Sequence, residues 1–288
     1  MGGGEPAASA GVCAVVVSYD SASTLEACLA ALLAEPEIAE LQVIDNGSRD
    51  DSVARVLALA AREPRLRLHC LPDNPGFAAA CNTGAAASRA PWLLFANPDL
   101  QMPAGGVARL LAHAATLARP GALGADLRDA QGHRDPAARR HALSLWRLLR
   151  AFGDREALAI AADERQTLQP VEACSGALML VPRAAFAAIG GWDAGYRLHV
   201  EDLDFCRRLR EAGFTVAVAN DLPVLHHRGV SSRARPLFVE WHKHRGLWRY
   251  WWRFESAGAA RLLVPLVLAG LAARMLLVVG RFMLRRRN

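Results

Sequence analysis

Val12-Cys13-Ala14-Val15-Val16-Val17-Ser18, followed at once by Tyr19-Asp20, is the stretch on which the reading of this chain turns. Uncharged and rich in valine, it fits a parallel strand buried on both faces, where no solvent face imposes polar alternation. The run then stops in a polar group. Two further apolar stretches stop the same way. Leu41–Asp45 leads into Asn46-Gly47-Ser48, and Trp92–Phe95 leads into Asn97-Pro98-Asp99. One polar strand end is only a turn. Three of them converging on one edge make a crevice, since open α/β sheets bind ligands outside the carboxyl ends of their strands.

Helical patterns fill the gaps. Ser23 and Glu26 form a capping-box pattern ahead of Leu25, Cys28, Leu29, Leu32 and Leu33, which share one helical face. A second helix is expected from Asp50 to near Ala61, a strand over Leu66–Cys70, and helices over Phe77–Ser88 and Ala104–Leu117. This order predicts an α/β fold: a mostly parallel central sheet with helices on both faces. After Asp126 the rhythm breaks. Residues 127–170 are polar and Arg-rich, with an amphipathic piece around Leu143–Phe152 and no clear strand. They read equally as a substrate loop or as a variable surface insertion. Order resumes with a strand at Ala177–Val181 and a turn at Gly190-Gly191-Trp192-Asp193. A helix from Glu201 to near Ala212, closed by Gly213, and a strand over Phe214–Ala219 follow.

Composition narrows the function. With 288 residues, 52% hydrophobic and 22% charged, the chain is not mostly disordered. Its net charge of +6 lies at one end: residues 261–288 carry six arginines and no acid, and the rest is balanced. That distribution argues against nucleic acid and for an anionic membrane surface. The six cysteines show no CxxC pair or zinc spacing and read as core residues in a reducing compartment. No G-x-G-x-x-G follows the first strand and no P-loop occurs, so dehydrogenase and P-loop NTPase readings find little support. Residues 1–11 have no signal-peptide pattern and read as a flexible leader.

The other end is different. Phe238–Phe254 interleaves Trp241, Trp248, Tyr250, Trp251 and Trp252 with Lys243, Arg245, Arg249 and Arg253. Leu262–Leu284 is then apolar apart from Arg274 and Arg281. At about 100° per residue, Arg274, Arg281 and Arg285 lie within about 40° of one another, the mark of an amphipathic interfacial helix. A spanning helix is the alternative, in which Arg274 near the centre would cost about 2.5–3.5 kcal/mol. Packing on the domain or a partner is the third. The aromatic and basic belt favours the membrane.

A set of short motifs in a fixed order carries a resemblance. They are Val-Val-Val-Ser-Tyr-Asp-Ser (15–21), Val-Ile-Asp-Asn-Gly-Ser (43–48), Asn-Pro-Gly-Phe-Ala (74–78) and Cys-Asn-Thr-Gly (81–84). Phe-Ala-Asn-Pro-Asp (95–99), Gly-Gly-Trp-Asp (190–193), Glu-Asp-Leu-Asp (201–204) and His-His-Arg-Gly-Val-Ser (226–231) complete it. Over residues 12–232 the chain resembles family 2 glycosyltransferases of the GT-A fold, in particular their bacterial rhamnosyltransferase-like branch. The resemblance implies a GT-A domain over 12–232, with 127–170 on the acceptor side; residues 233–288 read, from their own pattern, as a basic-aromatic segment and membrane-associated helix. It implies an inverting transfer of a sugar from a nucleotide donor to an acceptor hydroxyl.

It also assigns roles. Ser18, Tyr19, Asp20, Asp45, Asn46, Asn74, Gly76, Asn82 and Asn97 would line the nucleotide-sugar cleft. Asp45 would accept from the pyrimidine N3–H, which suits uracil and thymine alike. Asp99, with His226, would hold Mg2+ or Mn2+ against the diphosphate. Asp202 would be the catalytic base. Trp192, Asp193 and Glu201 would serve the acceptor. His199-Val200 stands where the family often has an aromatic residue before Glu-Asp. The branch suggests dTDP-rhamnose, with a UDP-sugar or a non-catalytic nucleotide-sugar-binding scaffold as alternatives. The tail suggests a polyprenyl-diphosphate-linked glycan acceptor at the cytoplasmic face of the plasma membrane, in cell-surface polysaccharide assembly. The lipid diphosphate would suit the arginines of the aromatic belt.

Overall fold

The computed structural model describes residues 11–144, 147, 158–227 and 236–285. Residues 1–10 of the expected leader, most of the amphipathic piece around Leu143–Phe152 and Arg228–Ser231 of the histidine motif lie outside the described residues. The first half alternates as expected: β1 (Val12–Ser18), α1 (Ala22–Leu33), β2 (Ile38–Asp45), α2 (Ser52–Ala60), β3 (Leu66–Cys70), α3 (Phe77–Ala86) and β4 (Trp92–Ala96). A short β5 (Leu100–Gln101) leads to α4 (Gly106–Ala115). There follow β6 (Pro120–Arg128), β7 (Arg139–Arg140), β8 (Leu168–Pro170), β9 (Ala173–Cys174) and β10 (Leu178–Pro182). The chain continues through α5 (Arg183–Ala188), α6 (Glu201–Glu211), β11 (Thr215–His226), α7 (Pro236–Phe254) and α8 (Val264–Arg285).

Among the described residues, the main sheet runs β3-β2-β1-β4-β10-β6-β11-β5, with β8 also on β11. The pairs β3-β2, β2-β1, β1-β4 and β6-β11 are parallel. β10 is reversed against both its neighbours because it enters from the carboxyl edge, with Leu178 opposite Ala96 at the end of β4. β1 is buried on both sides, and its residues alternate between two cores. Val12, Ala14 and Val16 meet Leu25 and Leu29 of α1, Val56 of α2 and Leu110 of α4. Cys13, Val15 and Val17 join the cluster of Cys81 of α3, Phe205 of α6 and Leu247 and Tyr250 of α7. Period-two alternation along the strand thus places helices on both faces.

Two local expectations needed correcting. α1 begins at Ala22, so Ser23 and Glu26 lie inside it and form no capping box. The amides at its start are met from the β2–α2 loop and the first residue of α2, Ser21 N–H donating to Ser52 Oγ (3.0 Å) and Ala22 N–H to Asp50 Oδ2 (2.9 Å). Glu26 instead pairs with Arg55 of α2. The second correction is β6, a nine-residue strand over Pro120–Arg128 where no strand was expected. Its glycines and alanines are poor strand formers. They are required by crowding: a Cβ at Gly121 would lie 2.7 Å from Phe214 Cβ, and one at Gly124 3.0 Å from Cys174 Cβ.

Part of the Arg-rich stretch is turned inward. Asp126, fully buried on β6, takes Arg128, Arg134 and Arg139 at 2.7–3.1 Å. Five cysteines are buried and free, and Cys70 is exposed. At the far end, a 3₁₀ turn (Gly258–Leu263) joins α7 to α8, whose Leu266, Leu268, Leu276, Leu277 and Met283 are exposed. Gly258–Gly280 is long and apolar enough to cross a membrane, and 6% of its apolar window is buried. Arg274 turns inward to α7, donating to His244 Nε2 at 2.9 Å and lying 3.5 Å from Glu240. The side chains of Arg281 and Arg285, the rest of the expected stripe, lie outside the described residues.

α3 lies so close to β1 that a Cβ on Gly84 would sit 2.4 Å from Val15 Cγ1 and 3.3 Å from Ile44 Cγ1. Gly84→Ala is therefore expected to destabilise the protein by about 1–3 kcal/mol through overpacking, lowering the melting temperature by several degrees. Thermal unfolding followed by circular dichroism tests this, and an unchanged midpoint would mean that the helix can stand off freely.

Candidate active site

Strand register builds the site. Ser18 pairs with Asp45 across β1 and β2, and Val16 with Ala96 across β1 and β4, so the three polar strand ends lie along one edge. Asp45 is buried, and its Oδ2 accepts from the Gly47 and Ser48 amides at 3.0 and 2.9 Å. Among the described residues its Oδ1 has no hydrogen-bond partner. Neither has Ser18 Oγ or Asn46 Oδ1, both enclosed beside it. Asp20 adopts a left-handed φ of 47°, and its Oδ1 accepts from the Arg49 amide at 2.7 Å. Tyr19 is half-buried next to it. Buried polar atoms normally find partners, so such a cluster of orphans at a strand edge marks a polar ligand's place.

The next strand ends bring two distant residues together. β11 continues past a register shift between Ala219 and Pro223 and pairs His226 with Leu100 of β5. This sets His226 Nε2 3.3 Å from Asp99 Oδ1, with Asp135 Oδ2 3.4 Å from His226 Nδ1 on the other side of the ring. Asp99 Oδ1 lacks a hydrogen bond of good geometry. Two ligands of one octahedral Mg2+, each at about 2.0–2.1 Å, lie about 3 Å apart. As adjacent ligands, Asp99 and His226 at 3.3 Å, also an ion-pair distance, are spaced to share a divalent cation. Among the described residues no third His, Cys, Asp or Glu completes a metal cluster, so further ligands would come from a substrate or water.

Asp202 lies on the same edge, in the first turn of α6. Its Oδ2 accepts from Arg140 at 2.5 Å and from the Gly176 amide at 3.1 Å, while Oδ1 accepts from the Leu203 amide at 2.8 Å. Ala177, next to Gly176, accepts from the Asn97 amide at 2.8 Å, which links Asp202 to the Asn97-Pro98-Asp99 turn. Burial works against the Asp202 charge. Arg140's positive charge and hydrogen bond, with the Gly176 amide, outweigh it and hold the carboxyl below its usual range. Glu201 takes the opposite course: burial first, then the Asp202 charge, push its carboxyl well up, and its Oε2 is enclosed without a partner. The two neighbouring carboxyls are thus driven in opposite directions, Asp202 toward the carboxylate and Glu201 toward the acid.

Other expected site residues have different work. Asn74 Oδ1 accepts from the Gly76 amide at 3.1 Å, and Gly76 has a left-handed φ of 102°. The backbone that comes close to Gly76 is that of Arg197, whose carbonyl oxygen would lie 2.4 Å from a Cβ there. Asn82 uses both ends of its amide on the Trp192 backbone, at 2.8 and 2.9 Å. Trp192 is 2% exposed, stacked on Phe205 at 4.2 Å and edge-on to Phe77 and Phe95, so it offers no ring face to a sugar. Asp193 is clasped by Arg249 and Arg253 of α7, at 2.9 and 2.7 Å, and by the Gly195 amide. It fastens α7 to the core. Sequence reading missed Arg140 and Asp135, because in an Arg-rich stretch nothing local marks which residues reach the edge.

The family profile described as Glycosyl transferase family 2 matches residues 13–189, which take in the three strand ends and Asp99. This chain is a family 2 glycosyltransferase. An N-acetylglucosaminyl-diphospho-decaprenol L-rhamnosyltransferase of Mycobacterium tuberculosis (strain ATCC 25618 / H37Rv) is 32% identical over 279 residues, covering 86% of this chain and 90% of that relative. Rhamnosyltransferase WbbL of Escherichia coli (strain K12) is 33% identical over a shorter stretch, 22% of this chain and 24% of WbbL. Among solved structures, the mannosyltransferase PcManGT from Pyrobaculum calidifontis, in complex with GDP-Man and Mn2+, superposes with a TM-score of 0.57 at 17% identity. The overlap covers 93% of this chain and 75% of that one. GalNAc-T7 with UDP, GalNAc and Mn2+ gives a TM-score of 0.59 at 15% identity, over 75% of this chain and 43% of that one. The glycosyltransferase therefore has the GT-A fold and is rhamnosyltransferase-like.

Arg140→Met leaves Asp202 buried without its cation, a loss of about 3–5 kcal/mol for pairs of this kind. A carboxyl held below its ordinary pKa of about 3.9 contributes stability above that pH and loses it as the pH falls through the folded value. The stability gap between wild type and variant is expected to be full at pH 7 and to narrow as the pH is lowered to 4 and below. Urea denaturation across that range measures it; a gap independent of pH would assign the loss to packing.

Proposed function

We propose that this glycosyltransferase transfers L-rhamnose from dTDP-rhamnose, with inversion, to a hydroxyl of a polyprenyl-diphosphate-linked glycan. It does so at the cytoplasmic face of the membrane, in the assembly of a cell-surface polysaccharide. The observation that carries the reading is the row of unpartnered polar atoms on Ser18, Asp45, Asn46 and Asp99 along the edge where Asp202 also lies. The relative over most of the chain is named for rhamnosyl transfer to a diphospho-decaprenol-linked sugar, which supports the donor sugar and the acceptor class. The exposed leucines of α8 support a membrane-associated helix, with Arg274 satisfied by His244 of α7 instead of by lipid.

In this reading Asp45 Oδ1 accepts the N3–H of thymine, and Ser18, Tyr19, Asp20 and Asn46 surround the nucleotide. Asn74, Gly76 and Asn97 belong to the loops that bound the cleft, and Asn82 shapes it from below through the Trp192 backbone. Asp99 and His226 would hold a Mg2+ or Mn2+, with Asp135 orienting the imidazole as outer carboxylates do. When bound there, such a cation would supply charge neutralisation for the departing nucleoside diphosphate. Asp202 accepts the acceptor's hydroxyl proton as the oxygen bonds to the anomeric carbon; the bond from that carbon to the diphosphate oxygen breaks, and dTDP leaves. Arg140 favours the ionised form of Asp202, while burial pushes Glu201 beside it toward its neutral form. A UDP-sugar is the second reading, favoured by Asp45, because uracil presents the same N3–H.

The test is nucleotide release from dTDP-rhamnose and from UDP-hexoses, with a polyprenyl-linked acceptor and with or without Mg2+ or Mn2+. One donor is expected to turn over in a metal-dependent manner. Asp202→Asn should lower kcat by about 10²–10⁴ while leaving donor affinity unchanged. Asp99→Asn should raise the metal concentration needed for half-maximal rate by tenfold or more. Full activity in Asp202→Asn would remove the base from this scheme, and failure to bind any nucleotide-sugar would sink it.

A further inference from the structure

α7 and the loop after Asp193 enclose a cleft of about 290 Å³ whose walls include Pro75, Gly195, Arg197, His242, Arg245 and Gly246. That is near the lower limit for small-molecule sites, the size of a headgroup and not of a whole lipid. Its position is specific. Pro75 belongs to the Asn74-Pro75-Gly76 turn beside the donor edge. Gly246 presses on the turn that opens α6, where a Cβ would lie 3.0 Å from the His199 carbonyl oxygen and 3.2 Å from Val200 Cβ. The cleft therefore adjoins the residues leading directly into Glu201-Asp202.

Its charge is one-sided. Arg197 on the loop and Arg245 on the helix are both exposed, and among the described residues neither lies within ion-pair distance of a carboxylate. Neighbouring arginines behave differently, Arg249 and Arg253 being tied to Asp193. Buried His242 lines the same cleft; burial first, then the charges of Arg197 and Arg245, pull its pKa down. The outer face of α7 is aromatic. Trp241 and Trp252 are about half exposed, and Phe238 packs under Arg197 at 5.5 Å. At 100° per residue Arg245 falls in the same stripe as Phe238, Trp241, Trp248 and Trp252. That stripe leads along the helix toward the exposed apolar α8.

We infer that this cleft is the subsite for the pyrophosphate bridge of a lipid-linked acceptor, with Arg197 and Arg245 as its two guanidinium ligands. A pyrophosphate diester carries two negative charges, and arginine's planar fork binds phosphate oxygens bidentately. With the bridge between the two arginines, the lipid chain lies along the Trp241–Trp252 stripe toward the membrane. The sugar on the other phosphate is directed at the Asp202 turn. The inference rests on the lipid-linked-acceptor reading and adds to it the element by which the enzyme would select a diphosphate.

The test uses the full chain in detergent, with the donor site saturated by dTDP and UDP so that no probe phosphate enters it. The probe is N-acetylglucosaminyl-diphospho-farnesol, titrated by calorimetry; an uncharged farnesyl N-acetylglucosaminide and phosphatidylglycerol are the controls. Arg197→Gln and Arg245→Gln are each expected to weaken the diphosphate probe about tenfold, and Arg245→Lys by less. Affinity for the uncharged glycoside, nucleotide affinity and melting temperature should be unchanged. Unchanged diphosphate affinity in both variants overturns the subsite and leaves the acceptor class standing. Equal losses for the uncharged glycoside, or competition by phosphatidylglycerol as strong as by the probe, also overturn it. If wild type ignores the probe yet transfers sugar to a soluble acceptor, the lipid-linked reading fails and the subsite with it.

Discussion

One buried ion pair organises the active edge. Arg140 and Asp202 are each about 15% exposed, and they join the irregular stretch before β8 to the first turn of α6. A carboxylate so enclosed stays charged only beside a partner, so the position of β7 follows from the presence of Asp202. Adjacent residues on β7 face opposite ways. Arg139 reaches Asp126 and Asn220, and Arg140 reaches Asp202. A polar stretch is thus pinned to two buried acids. The turn before Asp202 carries strain, with His199 and Val200 both left-handed at φ 66° and 72°. Such residues cost about 1–3 kcal/mol each and persist only where surroundings hold them. Here the close approach of Gly246 supplies that pressure.

α7 belongs both to the core and to the tail. Leu247 and Tyr250 join the cluster beneath the sheet, and Arg249 and Arg253 close on Asp193. Arg253 also reaches to 3.4 Å from Asp204, an acid with no exposure that Arg208 already neutralises. On its far side His244 receives Arg274 of α8. His244 Nδ1 lies 2.6 Å from the Glu240 carbonyl oxygen and donates to it, leaving Nε2 as the acceptor Arg274 needs. The apolar helix is thus tied to α7 through Arg274, and α7 to the core through Asp193. A membrane surface that holds α8 would also orient the cleft.

The strand ends are legible along the chain because their signal is local. A run of buried residues that stops in Ser18-Tyr19-Asp20 or Asp45-Asn46 announces both the strand and the edge. Parallel register then guarantees that such ends align. Asp99 and His226 are 127 positions apart, and only motif order linked them; the β5–β11 pairing explains why they meet. Asn82 and Trp192 were legible as important and misread in kind. Their motifs look like ligand contacts, yet the Asn82 amide on α3 holds the backbone of the buried Trp192. β6 was invisible since its small residues answer to Phe214 and Cys174, which come much later in the chain.

The sequence by itself determined the alternating elements, the polar edge, the family and the basic apolar tail. The elements and the tail rest on periodicity and spacing within a few tens of residues, where backbone geometry repeats, and the family on the order of short motifs over residues 12–232. Tertiary structure alone decided which arginine neutralises which acid, which amide is structural and which polar atoms stay unpartnered. The physical reason is that a buried charge or amide takes its partner from whatever the packed fold brings within about 3 Å. No pattern along the chain records that distance.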